Sequence, residues 1–314
     1  MLALITVDKT RYHNSFVRVF PPHVADEIKT IDLKYQVSIA GLSDKGFYLH
    51  SGNSVAEISY DMLDTCQVPI ENPYGYEVMI DSPFFIIQSG TSAFLQRGAT
   101  GDWQNDTTFE KITGFTAVQM LSKDGFVLRS IDNGLRKNVL IKTGHPTLRK
   151  DILKTQVDGI LCTDGFLMYN RRLNLIIYVY RYRNEVICMD TTLNIVRTFK
   201  TIDTTSVAKI EVAEAAGQIT MSKPPLVVNR SACVDDHNLF VNSNLVARNE
   251  ETEHVKHKNV IDVYNIYDGS YRFSFYISGR GKDKMEMFRV KDNILIAKFP
   301  RYISKHHLAP SYFK

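Results

Sequence analysis

Short apolar runs separated by Asp, Asn and Gly turns dominate the chain, and stretches with the period of an amphipathic helix are scarce. Runs rich in Val, Ile, Phe, Tyr and Leu bounded by such turns read as strands. The clearest unit begins at residues 175–180 (LIIYVY), turns at Arg183-Asn184, continues through 186–190 (VICMD), turns at Thr192-Leu193-Asn194 and ends at 195–199 (IVRTF). This order predicts a three-stranded antiparallel meander. It returns at residues 238–242, 260–264 and 271–275, with Tyr267-Asp268-Gly269 as a hairpin turn in which Gly accepts positive φ without steric cost.

One phrase, a polar turn leading into an apolar run, recurs six times: at Ser43-Asp44-Lys45-Gly46, Asp81-Ser82-Pro83, Lys123-Asp124-Gly125, Asn170 to Asn174, Asp236-His237 and Lys291-Asp292-Asn293. The last five anchors lie about 43 to 66 residues apart, close to the length of a four-stranded propeller blade. A β-sandwich uses similar strands but has no reason to repeat one strand-turn-strand phrase around the chain. The expected fold is therefore all-β, a six-bladed β-propeller formed by residues 16–314 and closed by an N-terminal outer strand. The segment after residue 285 lacks an outer strand, and Phe16 to Phe20, stopped by Pro21-Pro22, is expected to supply it. Residues 1–15 are then a lead-in segment, with Leu2 to Ile5 a remnant of an anchor or signal.

Composition narrows the function more than the fold. With 44% hydrophobic and 23% charged residues and 4 Cys in 314, the chain is no collagen, coiled coil, disordered tail or disulfide scaffold. The 38 basic and 34 acidic residues are interspersed, so no clustered phosphate-tracking surface marks a nucleic-acid partner. No apolar stretch is long enough to span a membrane. Cys66, Cys162, Cys188 and Cys233 show no C-x-x-C spacing, and the last three sit in apolar runs where a thiol packs as a small hydrophobe.

From Phe16 to Leu308 the chain resembles the TolB-like six-bladed propeller proteins of Bacteroidetes. The phrases that carry the resemblance are Val17 to His23 (VRVFPPH), Arg97 to Trp103 (RGATGDW), Asp158 to Gly165 (DGILCTDG), Tyr182-Arg183-Asn184, Asn242 to Glu250 (NSNLVARNE) and Val260 to Tyr264 (VIDVY). The resemblance implies the propeller fold and a cell-envelope or periplasmic setting; it brings no catalytic residues with it.

In a propeller the loops from second to third strands and those between blades share one face, the usual place for a site. That face is expected to collect Asp102 and Trp103 between the second and third blades, Arg183 and Asn184 within the fourth, Asp203 between the fourth and fifth, and Asn242, Asn244 and Arg248 within the fifth. The long loops 201–231 and 245–259 add their length to the same side, and loops above about a dozen residues are commonly functional. Trp103 reads either as a binding platform or as a plug between blades. Arg183 and Arg248 suit a carboxylate or phosphate, or fix turns. Asn242, Asn244, Asn249, Glu250 and Asp203 form an oxygen-rich set that suits Ca²⁺, or cap turns. His254 to His257 and His306-His307 do not converge as metal ligands, and Gly279 to Lys282 precedes a strand rather than a helix, unlike a phosphate loop.

Two functions follow. The first is a non-enzymatic, monomeric binding module without cofactor that presents one loop face to a protein, peptide or glycan. The second is a lactonase-type hydrolase in which a divalent ion at the channel mouth activates water.

Overall fold

A computed structural model describes residue 11 and residues 14–144, 147–215, 218–251 and 257–313. Among these residues the regular structure is strand, apart from isolated helical turns. No helix among them is long and apolar enough to cross a membrane. Among the described residues six four-stranded antiparallel units, here called sheets, follow one another along the chain; the first two are joined edge to edge into one eight-stranded sheet. Five consist of consecutive strands within residues 38–68, 77–108, 117–149, 165–200 and 229–278; the sixth takes three strands from residues 287–308 and its fourth from Ala25–Asp32. A small hairpin, Val212–Ala215 with Gln218–Met221, stands in the connection between the fourth and fifth sheets.

The first strands of successive sheets lie side by side: Ala117–Ser122 contacts Gly165–Asn170, which contacts Asn229–Asp235, which contacts Met287–Lys291, which contacts Ser38–Leu42 of the first sheet. Between the first and second sheets this proximity becomes parallel hydrogen bonding, with Gly41 opposite Ile80 and Leu42 opposite Asp81. A Cβ on Gly41 would stand 2.0 Å from the Ile80 carbonyl oxygen, so only glycine permits the approach. One apolar cluster fills each gap between neighbouring sheets; Val127, Leu140, Ile176 and Tyr178, for example, join the third to the fourth. This arrangement explains the uninterrupted apolar runs. A second strand such as Leu175–Tyr180 is covered on both faces and buried along almost its whole length, whereas the fourth strand Ile195–Lys200 alternates with solvent.

All six occurrences of the repeated phrase fall at the turn between the first and second strands of a sheet. Asn174, Asp236, Asp292 and Asn293 take positive φ there, which short side chains with local hydrogen bonds tolerate. Gly269 takes φ 75° in the Asp-Gly turn. Cys162, Cys188 and Cys233 are buried and Cys66 is exposed, all as free thiols.

The outer strand of the sixth sheet differs from expectation. It is Ala25–Asp32, paired with Tyr302–Leu308 from Ala25 opposite Leu308 to Asp32 opposite Tyr302. Phe16 to Phe20 instead lies over the fifth sheet, where the Val19 carbonyl accepts from the Ser274 amide and Phe16 packs with Leu226, Val228, Leu245 and Ala247. The lead-in segment falls outside the described residues up to residue 10.

On the strand opposite Ala25–Asp32, His306 is 2% exposed with Nε2 2.8 Å from the Ser304 hydroxyl. Burial pushes its pKa from 6.5 down to about 4, against the pull of Glu27. The unfolded chain therefore binds the proton first as pH falls, so stability held above pH 6.5 is lost toward pH 4. The loss is on the order of 3 kcal/mol for a shift of this size. Asp235, which burial and then Asp292 push up to about 6, acts with the opposite sign in part of the window. Urea melts of wild type and His306→Gln across that range separate the two: the variant should have a shallower acid loss, and parallel curves would refute the assignment.

Candidate functional site

Antiparallel order gives each sheet two different ends. Turns from first to second and third to fourth strands gather at one end, and turns from second to third strands join the inter-sheet connections at the other, here termed the loop end. At the first end Arg171 forks onto Asp81 with contacts of 3.1 and 2.7 Å, linking the fourth sheet to the second. Those sheets are not neighbours in the succession.

The expected site residues divide between the ends. Asp102 and Trp103 lie within the second sheet, between its third strand Phe94–Ala99 and fourth strand Asn105–Thr108, and not in the connection to the third. They therefore stand at the end opposite the other candidates. Trp103 packs its ring against Tyr48 and Phe85 at centroid distances of 5.5 and 5.6 Å, in the cluster between the first two sheets. Asp102 accepts from the Gln104 amide in an exposed turn.

Arg183 is fully buried, with its guanidinium 3.4 Å from the Tyr180 ring centre, Nε 2.8 Å from Glu185 and further hydrogen bonds to the carbonyls of Cys162 and Lys154. It fixes its loop from within. Asn184 donates to the Asp203 carbonyl, and the Asp203 carboxylate accepts from the Thr201 hydroxyl and the Thr205 amide. Burial raises the Asp203 pKa against those hydrogen bonds. Arg248 is exposed, its amide donating to the Phe16 carbonyl. Asn242 is 1% exposed, and neither polar atom of its side chain has a hydrogen-bond partner. The oxygen-rich set does not converge: Glu250 serves Arg18, the Ala247 amide and Tyr276, while Asn249 bonds the backbone of Arg18. Among the described residues no group of three or more His, Cys, Asp and Glu side chains is placed to hold a metal ion.

Asn244 stands at a concavity of the loop end. It borders a cavity of about 420 Å³ that the fourth, fifth and sixth sheets share with the N-terminal segment. Four cationic side chains line it: Arg11, Arg181 from the turn after Leu175–Tyr180, Arg230 from the first strand of the fifth sheet, and Lys284 ahead of the first strand of the sixth. Asn244 organises two of them, accepting from Arg230 Nε on its side-chain oxygen at 2.8 Å and from Arg11 Nε on its carbonyl at 2.7 Å, while its own amide donates to the Val227 carbonyl. Arg181 Nε lies 2.7 Å from Asp164, whose other oxygen meets Arg129 at 2.8 Å. Lys284 donates to the Lys258 carbonyl, and burial, then Arg11 and Arg230, pushes its pKa down to about 8. Among the described lining residues Glu286 is the acidic one and is held by Lys298, and Leu226, Val227 and Met285 give the cavity an apolar wall.

Sequence reasoning named Asn244 but not the four cations beside it, which come from separate stretches of chain and form no motif. The only available signal was placement at the loop end: Arg181 follows Leu175–Tyr180, Arg230 lies at the start of Asn229–Asp235 and Lys284 precedes Met287–Lys291.

No family model matches the chain, and no curated protein does. Among solved structures it is similar to a member of the DUF4221 family from Bacteroides vulgatus, at 13% identity and TM-score 0.54, covering 94% of this chain and 99% of that one. It is also similar to a Bacteroides fragilis protein named as an exported one, at 8% identity and TM-score 0.50, over 95% of this chain and 99% of the other. The WD40 domain of Neurospora crassa Pan2 aligns over 93% of this chain at 8% identity and TM-score 0.48. At these identities the first two likenesses concern the all-β fold alone.

Proposed function

We propose that the protein is a six-bladed β-propeller of the TolB-like kind, closed by an N-terminal strand, and that it works as a non-enzymatic binding module of the cell envelope. Its loop end receives a protein, peptide or glycan. The observation that carries this reading is the cavity at that end, where three sheets and the N-terminal segment bring four cations and an apolar wall together. Concave sites with a few convergent polar groups on an apolar lining are the common form of a binding site. The envelope setting draws on the sequence resemblance, and one similar structure is of a protein named as exported.

Affinity capture from a Bacteroidetes envelope extract tests the reading with two charge reversals. Arg230→Glu at the cavity should abolish capture of the wild-type partner. Lys45→Glu, exposed at the opposite end, should leave it intact. Equal capture by both folded variants would remove the loop end as the site.

A further inference from the structure

We propose that Arg289 seats an oxyanion, the carboxylate or phosphate group of a small ligand, where the first strands of the fifth and sixth sheets meet. The seat lies on Met287–Lys291 and uses none of the side chains that line the loop-end cavity. It is therefore a second site, separate from the one that carries the binding-module reading.

The pairing of the other arginines makes the first argument. Arg18, Arg97, Arg129 and Arg183 are buried, and each holds a carboxylate at 2.8 Å or closer. Arg289 is half-buried and has no acidic partner among the described residues; its Nη1 donates to the Phe288 carbonyl at 3.0 Å, and the rest of its donor fork meets no other group of the protein. Burial pushes its pKa below the ordinary arginine value, and the group that pulls the other way is the Cys233 thiol of the fifth sheet, not a carboxylate. A guanidinium keeps its charge regardless, so the cost of surrounding it with protein is relieved by an anion and not by loss of a proton.

The facing strand supplies the second. Ser231 and Asn242 stand opposite one another on the first and second strands of the fifth sheet. Side chains alternate along a strand, so these two share a face with the pair Cys233 and Phe240, which belongs to one apolar cluster with Phe288 and Val290 of the sixth sheet. Cys233, two residues from Ser231, is also the fifth-sheet group on which the Arg289 charge acts. Ser231 is 8% and Asn242 1% exposed, and neither the hydroxyl nor either end of the carboxamide has a hydrogen-bond partner. Buried polar groups are ordinarily paired, and an exception points to a bound partner. A guanidinium fork matches the planar, two-pronged geometry of carboxylate and phosphate oxygens, and a hydroxyl and a carboxamide are donors suited to the oxygens that the fork leaves over.

Thermal melts of the full chain in sodium phosphate and in sodium acetate, each against sodium chloride at equal ionic strength, are the test. At least one oxyanion should raise the wild-type Tm along a saturation curve, as a ligand of the folded state does, and the better of the two identifies phosphate or carboxylate as the group held. Arg289→Met should lose that rise. In chloride at low ionic strength the same variant should melt at or above the wild-type temperature, because an apolar side chain has replaced an uncompensated charge. Arg289→Lys, which keeps the charge without the fork, should bind the preferred oxyanion about tenfold more weakly, and Asn242→Leu should weaken it by a similar factor through loss of a charge-assisted hydrogen bond. Oxyanions that raise the wild-type Tm no further than chloride does would overturn the inference without any variant. A rise of equal size in wild type and Arg289→Met would overturn it as well, since the effect then comes from general exclusion of the salt or from binding at the loop end. Wild-type affinity in Arg289→Lys, or an Arg289→Met protein clearly less stable than wild type in chloride, would do the same, the latter marking a guanidinium already satisfied within the protein. None of these outcomes bears on the envelope capture, which tests the loop end separately.

Discussion

Replacing Arg18 with Met should cost the protein about 3 to 5 kcal/mol, the usual penalty for removing one partner of a buried ion pair. Arg18 forks onto Asp262 through Nε at 2.7 Å and Nη2 at 3.0 Å, meets Glu250 through Nη1 and donates to the Leu245 carbonyl. The side chains of Arg18 and Glu250 are wholly shielded and that of Asp262 is 2% exposed. Burial works against the Arg18 charge, yet Asp262 and Glu250 outweigh it, and its pKa stands above the ordinary value. Without the guanidinium, two carboxylates remain inside with the Ser274 and Tyr276 hydroxyls and the Ala247 amide as their donors and no cation between them. Denaturant melts should show the deficit at neutral pH. Adding Asp262→Asn should recover part of the loss. A single variant within about 1 kcal/mol of wild type, the range of an exposed ion pair, would mean the network is worth no more than a surface contact.

Deleting residues 1–32 should be more damaging still and yield insoluble or non-cooperatively folding protein. The deletion removes Arg18, the packing of Phe16 and the entire partner of Tyr302–Leu308, whose outward backbone groups are then left as an open edge. Cysteines at positions 26 and 307, which face each other in the register, should crosslink within one molecule in a Cys66→Ser background. Cysteines placed at 18 and 303 should not. A soluble, cooperative protein lacking residues 1–32, or no crosslink between 26 and 307, would sink the closed ring.

The two N-terminal segments show why part of this fold was legible and part was not. The repeated turn phrase could be read because turn chemistry is local: short polar residues at positive φ, then a run apolar on both faces because sheets cover both. Ala25–Asp32 (ADEIKTID) carries no such pattern and is largely exposed, since it lies at a sheet edge. Its strand identity comes from pairing with residues at the far end of the chain, which no window of sequence contains. Phe16 to Phe20 has the period-two alternation of a strand, and the alternation is real, with Phe16 and Arg18 buried and Val17 and Val19 43% and 57% exposed. It reports packing onto the fifth sheet rather than closure of the sixth. Side-chain direction in the loops was illegible for a related reason. Arg183 and Asp203 stand at the loop end but are buried, and direction within a loop is set by burial that composition does not reveal.

The pairing of Ala25–Asp32 with Tyr302–Leu308 also sets an order of events during synthesis. The first of these strands leaves the ribosome long before its partner exists, and at about 5 to 20 residues per second the wait is on the order of tens of seconds. An apolar edge exposed for that time would invite pairing between nascent chains. The charges that hid this strand from sequence reading, Asp26, Glu27, Lys29 and Asp32, act during the wait as gatekeepers that keep it solvated until Tyr302–Leu308 arrives.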